Sequence, residues 1–202
     1  MDSQGPLTEA RELLRLAVER GTRRDVDDWA TAGLFGLRIL RDVLTGARAA
    51  PWKDVHSREA GDNLMVAVAA IAAAHPADFL DVFSDRVRDE DPFVLVGLGC
   101  VRDERATNRL IRAAKSATWT NRMDAARGLG RQKSPQALTA LVVLLGDSEY
   151  LVRYHALKGL AEGGDETVIA ARRDFAAPTR VEGQLAEAAI AAIRSRSADE
   201  ES

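Results

Sequence analysis

An all-α fold, a right-handed α-solenoid of about ten or eleven helices stacked as hairpins, is what this 202-residue sequence predicts. Three observations carry that expectation. The chain repeats itself at an interval of 31 residues, its apolar residues recur on one face of a 3.6-residue period, and its prolines sit where helices can begin. Aromatics are scarce while Ala, Leu, Val and Arg are abundant, a composition that fills helix interfaces and favours helix over strand.

The repeat is visible without alignment to anything else. Gly97-Leu98-Gly99, Gly128-Leu129-Gly130 and Gly159-Leu160-Ala161 lie 31 residues apart, and Asn121–Gly130 matches Val152–Ala161 without a gap. Upstream, the helix expected from Asp103 matches the one expected from Ser134 in the same register. A looser copy places Leu185, Ala189, Ile190 and Ile193 at the spacing of Val152, Ala156, Leu157 and Leu160, at an offset of 33. Each unit therefore predicts a helix pair, with apolar positions at i, i+4, i+5 and i+8 on its second helix. The glycine that follows either lets two helix backbones approach or ends the helix.

Earlier in the chain, residues 6–20 and 25–46 predict amphipathic helices. The second carries Val26, Trp29, Gly33, Leu37, Leu40 and Val43 or Leu44 on one face. Residues 57–75 and 76–88 predict a diverged pair. Pro6, Pro51, Pro76, Pro92, Pro135 and Pro178 all suit a first turn, where a missing N–H removes no hydrogen bond. Asp91-Pro92 and Ser134-Pro135 form cap-plus-first-residue pairs. Because helical stacks propagate by nearest-neighbour packing, residues 1–195 are expected to make a single continuous helical-repeat domain. Its helices are diverged over 1–90 and regular over 91–195, and residues 196–202 form a disordered acidic tail.

At Gly146–Leu160 the chain resembles the HEAT repeat, in the short form found in phycobilisome lyases and many HEAT-like proteins of bacteria. Asp147, Val152, Arg153, Ala156, Leu157, Gly159 and Leu160 carry the likeness. The preceding copy keeps Arg122, Ala125, Gly128, Leu129 and Gly130 but has Ser116 in place of the acid. The resemblance is clearest over residues 91–165. It implies a structural ladder of Asp147 and Arg153 joining neighbouring repeats, and it leaves activity open, since such repeats serve scaffolds and enzymes alike.

In such stacks the second helices line the concave face. Counted from Val152 at 100° per residue, the face away from the core shows Tyr154, His155, Lys158 and Glu162. The equivalent positions one repeat earlier are Met123, Asp124, Arg127 and Arg131, and before those come Pro92, Phe93, Val96 and Cys100. Apolar anchors with flanking charge are what a partner groove needs. Phe93, Met123, Asp124, Arg127, Arg131, Tyr154, His155 and Lys158 are therefore the expected partner-binding residues, and an ordinary solvated helix face is the alternative. Asp124 and His155, at one repeat position, are also the best general-base candidates. They lack a nucleophile or second carboxylate, so the chain leans away from enzymes, with a lyase-like small-molecule site in the same groove as the rival.

Other chemistry is thinly represented. The formal charge of −3 shows no global basic excess. Residues 102–133 are locally basic, with Arg105, Arg109 and Arg112 on one helix face, so a nucleic-acid groove is a further alternative. A likeness to HEAT-like DNA glycosylases, which hold a flipped-out base with Trp, Asp and Arg, would make Trp119 and Asp124 its candidates. His56, His75 and His155 stand far apart and no His-Glu dipeptide occurs, so no metal is expected. No glycine-rich phosphate loop precedes a helix, so no cofactor is expected either. Trp29, Trp52 and Trp119 are expected in packing roles, and Cys100, the only cysteine, as a small buried apolar group in a reducing compartment. The first residues lack the apolar core of a signal peptide and Leu64–Ala74 is too short to span a bilayer, so a cytoplasmic protein with no membrane partner is expected.

Overall fold

Helix is the only regular structure in the described part of the chain. The computed structural model describes residues 4–52, 57–84, 90–164, 168–169 and 178–200, and among these it bounds eleven α-helices and no strand. Backbone packing groups the chain into two compact units, Met1–Asp103 and Glu104–Ser202.

The first unit holds α1 (Gln4–Arg20), α2 (Arg23–Ala30), α3 (Gly33–Leu44), α4 (Arg58–Ala74), α5 (Pro76–Val82) and α6 (Pro92–Cys100). Its core gathers Leu14, Trp29, Leu37, Leu40, Ile71, Phe79, Phe83, Leu95 and Leu98, all fully buried. The single helix expected over 25–46 is in fact two. Gly33 takes φ of +59°, a left-handed conformation that breaks the helical run and that only glycine adopts without strain. The carbonyl of Ala30, left at the break, accepts a 2.8 Å hydrogen bond from Nε2 of His75. The break also seats Trp29, whose indole N–H donates to the Ala67 carbonyl at 3.2 Å. Of the pair expected over 57–88, residues 85–88 lie outside the described residues.

The second unit holds α7 (Glu104–Ala113), α8 (Trp119–Gln132), α9 (Pro135–Leu144), α10 (Tyr150–Gly163) and α11 (Arg180–Glu200). Each bound of α9 and α10 falls 31 residues after the corresponding bound of α7 and α8, so the sequence register is also the structural one. The expected caps form: Asp91 accepts from the N–H groups of Phe93 and Val94, and Ser134 from that of Ala137. Pro76, Pro92 and Pro135 open their helices and Pro6 is the third residue of α1. Pro51 and Pro178 instead occupy bends outside any helix.

The looser final copy is turned slightly from its expected face. Glu182, Ala186, Ala189 and Ile193 are buried along α11, while Leu185 and Ile190 are only half-buried. Helix α11 extends to Glu200. Arg196 explains the extension: its guanidinium donates to the carbonyls of Ala161 (2.6 Å) and Gly164 (2.8 Å), binding orphan acceptors at the end of α10 and anchoring the turn it sits on.

Arginines join successive repeats. Arg122 donates to the carbonyls of Ser116 and Ala117 in its own hairpin loop and forks onto Asp147 of the next repeat at 2.6 and 2.9 Å. Thirty-one residues later, Arg153 donates to the carbonyls of Asp147 and Ser148 and reaches Glu182 at 2.5 Å. The implied ladder thus runs forward: Asp147 lends Arg153 its backbone carbonyl but gives its carboxylate to Arg122. Ser116 keeps the turn half of the role, accepting from the N–H of Thr118 as Asp147 accepts from that of Glu149.

Candidate functional site

The parallel pair α8 and α10 builds the site. Arg122 near the start of α8 reaches the loop that begins α10, and towards their ends the two helices meet backbone to backbone at Gly130 and Gly159. A Cβ on Gly130 would stand 2.7 Å from the Cα of Gly159, closer than side chains tolerate. The glycines of the repeat therefore serve close approach. Helix α8 runs two residues past Gly130 and closes at Lys133, whose φ is +52°. Register alone pairs Gly128 with Gly159; the contact is made by Gly130.

Beside this contact lies a cleft of about 180 Å³ lined by Ala126, Arg127, Gly130 and Arg131 from α8 and by His155, Lys158, Gly159 and Glu162 from α10. Its floor is glycine and alanine and its rim is charged. Arg127, Arg131, Lys158 and Glu162 are exposed, while Met123, Tyr154 and His155 are half-buried. Tyr154 stands edge-on to the His155 ring, centroids 5.1 Å apart, and also faces Tyr150 at 6.1 Å. Seven of the eight expected partner-binding residues lie on α8 and α10. The eighth, Phe93, is half-buried in the first turn of α6, in the other unit.

Asp124 sits deeper than its repeat position suggested. It is 6% exposed, and burial raises its carboxyl above the ordinary value despite Arg127, which contacts it at 3.4 Å. His155 is driven the other way, to about 4, by burial and by the cations of Arg127 and Lys158. Arg127 thus engages the acid and repels a proton from the imidazole. A histidine neutral at pH 7 with so low a pKa is a weak general base. It is a good neutral hydrogen-bonding group.

Linkage gives this a measurable sign. The folded pKa of His155 lies below its unfolded value near 6.5, so the unfolded chain binds more protons and stability falls as pH drops from about 6.5 towards about 4. Between pH 7 and 5 the low-pKa carboxylates Asp147 and Glu182 stay ionised, and the raised Asp124 works in the opposite direction, gaining stability in acid. Discounted for the ring's partial exposure, His155 removes roughly 1 kcal/mol at pH 5. Thermal unfolding should show His155→Gln losing less stability than the parent over that interval; equal losses would discard this assignment.

Two features were not visible in sequence. Trp119, expected in a packing role, opens α8 and is 39% exposed; Tyr150, at the equivalent position of α10, is 38% exposed and Leu151 after it 41%. Apolar surface is thus exposed at the starts of the two helices that form the cleft. Conversely Arg109, one third of the expected basic stripe, is buried, and Arg105, Arg109 and Arg112 all interact within the protein, so none is a free cation. Cys100 is half-buried rather than buried. Among the described residues no three His, Cys, Asp or Glu side chains group as metal ligands, and His56 lies outside them. No single described helix is long and apolar enough to cross a membrane.

Comparison with known proteins fits this architecture. A sequence family described as HEAT repeats matches residues 107–194, that is, most of the second unit. Among solved structures, an engineered protein from the Northeast Structural Genomics Consortium is similar over 96% of this chain and 92% of its own, with 20% identity and a TM-score of 0.53. That likeness concerns the fold alone. Among curated proteins no sequence matches.

Proposed function

We propose that this HEAT-like repeat protein is a non-enzymatic scaffold that holds a segment of another protein against the α8/α10 face. The observation that carries this reading is the joining of the two second helices at Gly130 and Gly159. It sets Arg127 and Lys158 around one open cleft, with Met123 and Tyr154 one helical turn before them and Trp119, Tyr150 and Leu151 exposed at the starts of the same two helices. Aromatic and arginine anchors with a polar rim are the composition of binding hot spots.

Size separates this from the small-molecule alternative. Sites that enclose a small molecule run to about 300–1,000 Å³, and the cleft here is about 180 Å³. It suits a side chain presented by a larger partner. The buried Arg109 likewise weakens the nucleic-acid alternative, whose phosphate-tracking stripe it interrupts. The lone cysteine fits residence in a reducing cytoplasm.

The test is site-specific crosslinking. A photo-reactive residue at Tyr154 should capture a defined partner segment, while the same label at Ala188, exposed on α11, should not. Equal capture from both positions, or none from Tyr154, removes the proposal.

A further inference from the structure

We propose that the α8/α10 cleft receives a carboxylate side chain from an acidic peptide segment, held between Arg127 and Lys158 over the glycine floor. This names the chemistry of the partner and rests on the scaffold reading. Four observations support it. The first is local charge: the lining carries Arg127, Arg131 and Lys158 against Glu162 alone, in a chain whose formal charge is −3. A positive cleft on a negative protein is the complement of an acidic segment.

The second is supply of donors. Arg127 spends one contact on Asp124, a long one at 3.4 Å, and its side chain remains 42% exposed. A guanidinium has five N–H donors in a fork that matches a carboxylate. Lys158 has no ion-pair partner among the described residues and stands exposed across the cleft. The third is the floor. Gly130, Gly159 and Ala126 leave it without long side chains, so a carboxylate can lie in the groove over the glycine contact, within reach of the rim cations. The fourth is His155, neutral and half-buried on the same wall, able to donate an N–H to an anion. Burial first, and then the charges of Arg127 and Lys158, hold its proton affinity down.

Shape chooses peptide over nucleic acid. The cleft of about 180 Å³ has room for one planar anionic group rather than for a continuous phosphate chain. Met123 and Tyr154, one helical turn before Arg127 and Lys158, offer apolar contact to the residues flanking the carboxylate.

The experiment uses the full chain and three labelled probes at low salt: a peptide of alternating Glu and Ala, its Lys and Ala counterpart, and oligo-dT. The acidic peptide should bind, weaken with added salt, and bind about tenfold less well to Lys158→Glu, with Lys158→Gln between them. Thermal unfolding of both variants, at an exposed position, should match the parent. Bound peptide should also raise the pKa of His155, followed by its ring proton shifts. Absence of acidic-peptide binding, indifference to Lys158→Glu, or tighter binding of oligo-dT overturns the assignment. A segment still captured at Tyr154 but indifferent to Lys158→Glu removes the carboxylate and leaves the scaffold; failed capture at Tyr154 removes the scaffold itself.

Discussion

Arg153→Ala is expected to lower the unfolding free energy of the second unit by about 3–5 kcal/mol. Its partner Glu182 is fully buried and Arg153 itself is 9% exposed, so removing the guanidinium strands a carboxylate out of water. Burial alone would raise the Glu182 carboxyl; the bonds from Arg153 and Thr179 outweigh it and hold the group below its ordinary value. The substitution also orphans the carbonyls of Asp147 and Ser148, each receiving an N–H at 2.8 Å. The equivalent Arg122→Ala should cost less, about 1–3 kcal/mol, because Arg122 and Asp147 are 16% and 7% exposed and water can reach the remnant. Replacing both partners, as Arg153→Met with Glu182→Leu, should recover most of the loss, since no charge is then left unpaired. Urea denaturation read by circular dichroism measures all three. A loss below about 1 kcal/mol for Arg153→Ala would show that water or another group compensates Glu182.

Gly130→Ala tests the helix contact with a sign rather than a size. Alanine favours helix over glycine by about 1 kcal/mol, so propensity alone predicts a gain. The added methyl would lie 2.7 Å from the Cα of Gly159, and main-chain atoms cannot swing aside as a side chain can. The helices must part, which over-packing data put at about 1–3 kcal/mol or more. The expected net is a loss of about 2 kcal/mol. Gly159→Ala should behave alike, its methyl meeting the Cα of Gly130 at 2.8 Å and Leu141 at 3.0 Å. In a double-mutant cycle the second alanine should cost less than the first, because the helices have already separated. Both variants should also weaken the acidic peptide by displacing Arg127 from Lys158. A stabilised Gly130→Ala would mean that the backbones are not in contact.

Legibility differed between the two units for a definite reason. In the second, the 31-residue self-similarity located four helices, because each copy repeats the same apolar period in the same register, and Ser134-Pro135 marked the start of α9. In the first, no second copy constrained residues 25–46, and the amphipathic stripe from Val26 to Leu44 remains continuous across the break at Gly33. Periodicity cannot report a backbone rotation that leaves the stripe in register; only a φ of +59° does. At the site, register placed Arg127, Arg131, Tyr154, His155 and Lys158 on α8 and α10. It misjudged Asp124, which is buried, and Trp119, which is exposed, because a position on a helical wheel gives direction without depth.

By itself the sequence determined the helical class and the length of the repeat, since these follow from local propensity and a 3.6-residue period. Tertiary structure alone decided that Gly130 rather than Gly128 meets Gly159, that Asp147 serves Arg122, and that a cationic cleft opens between the helices. Those outcomes depend on how far one helix slides along its neighbour, and that offset is set by summed side-chain packing between segments far apart in the chain.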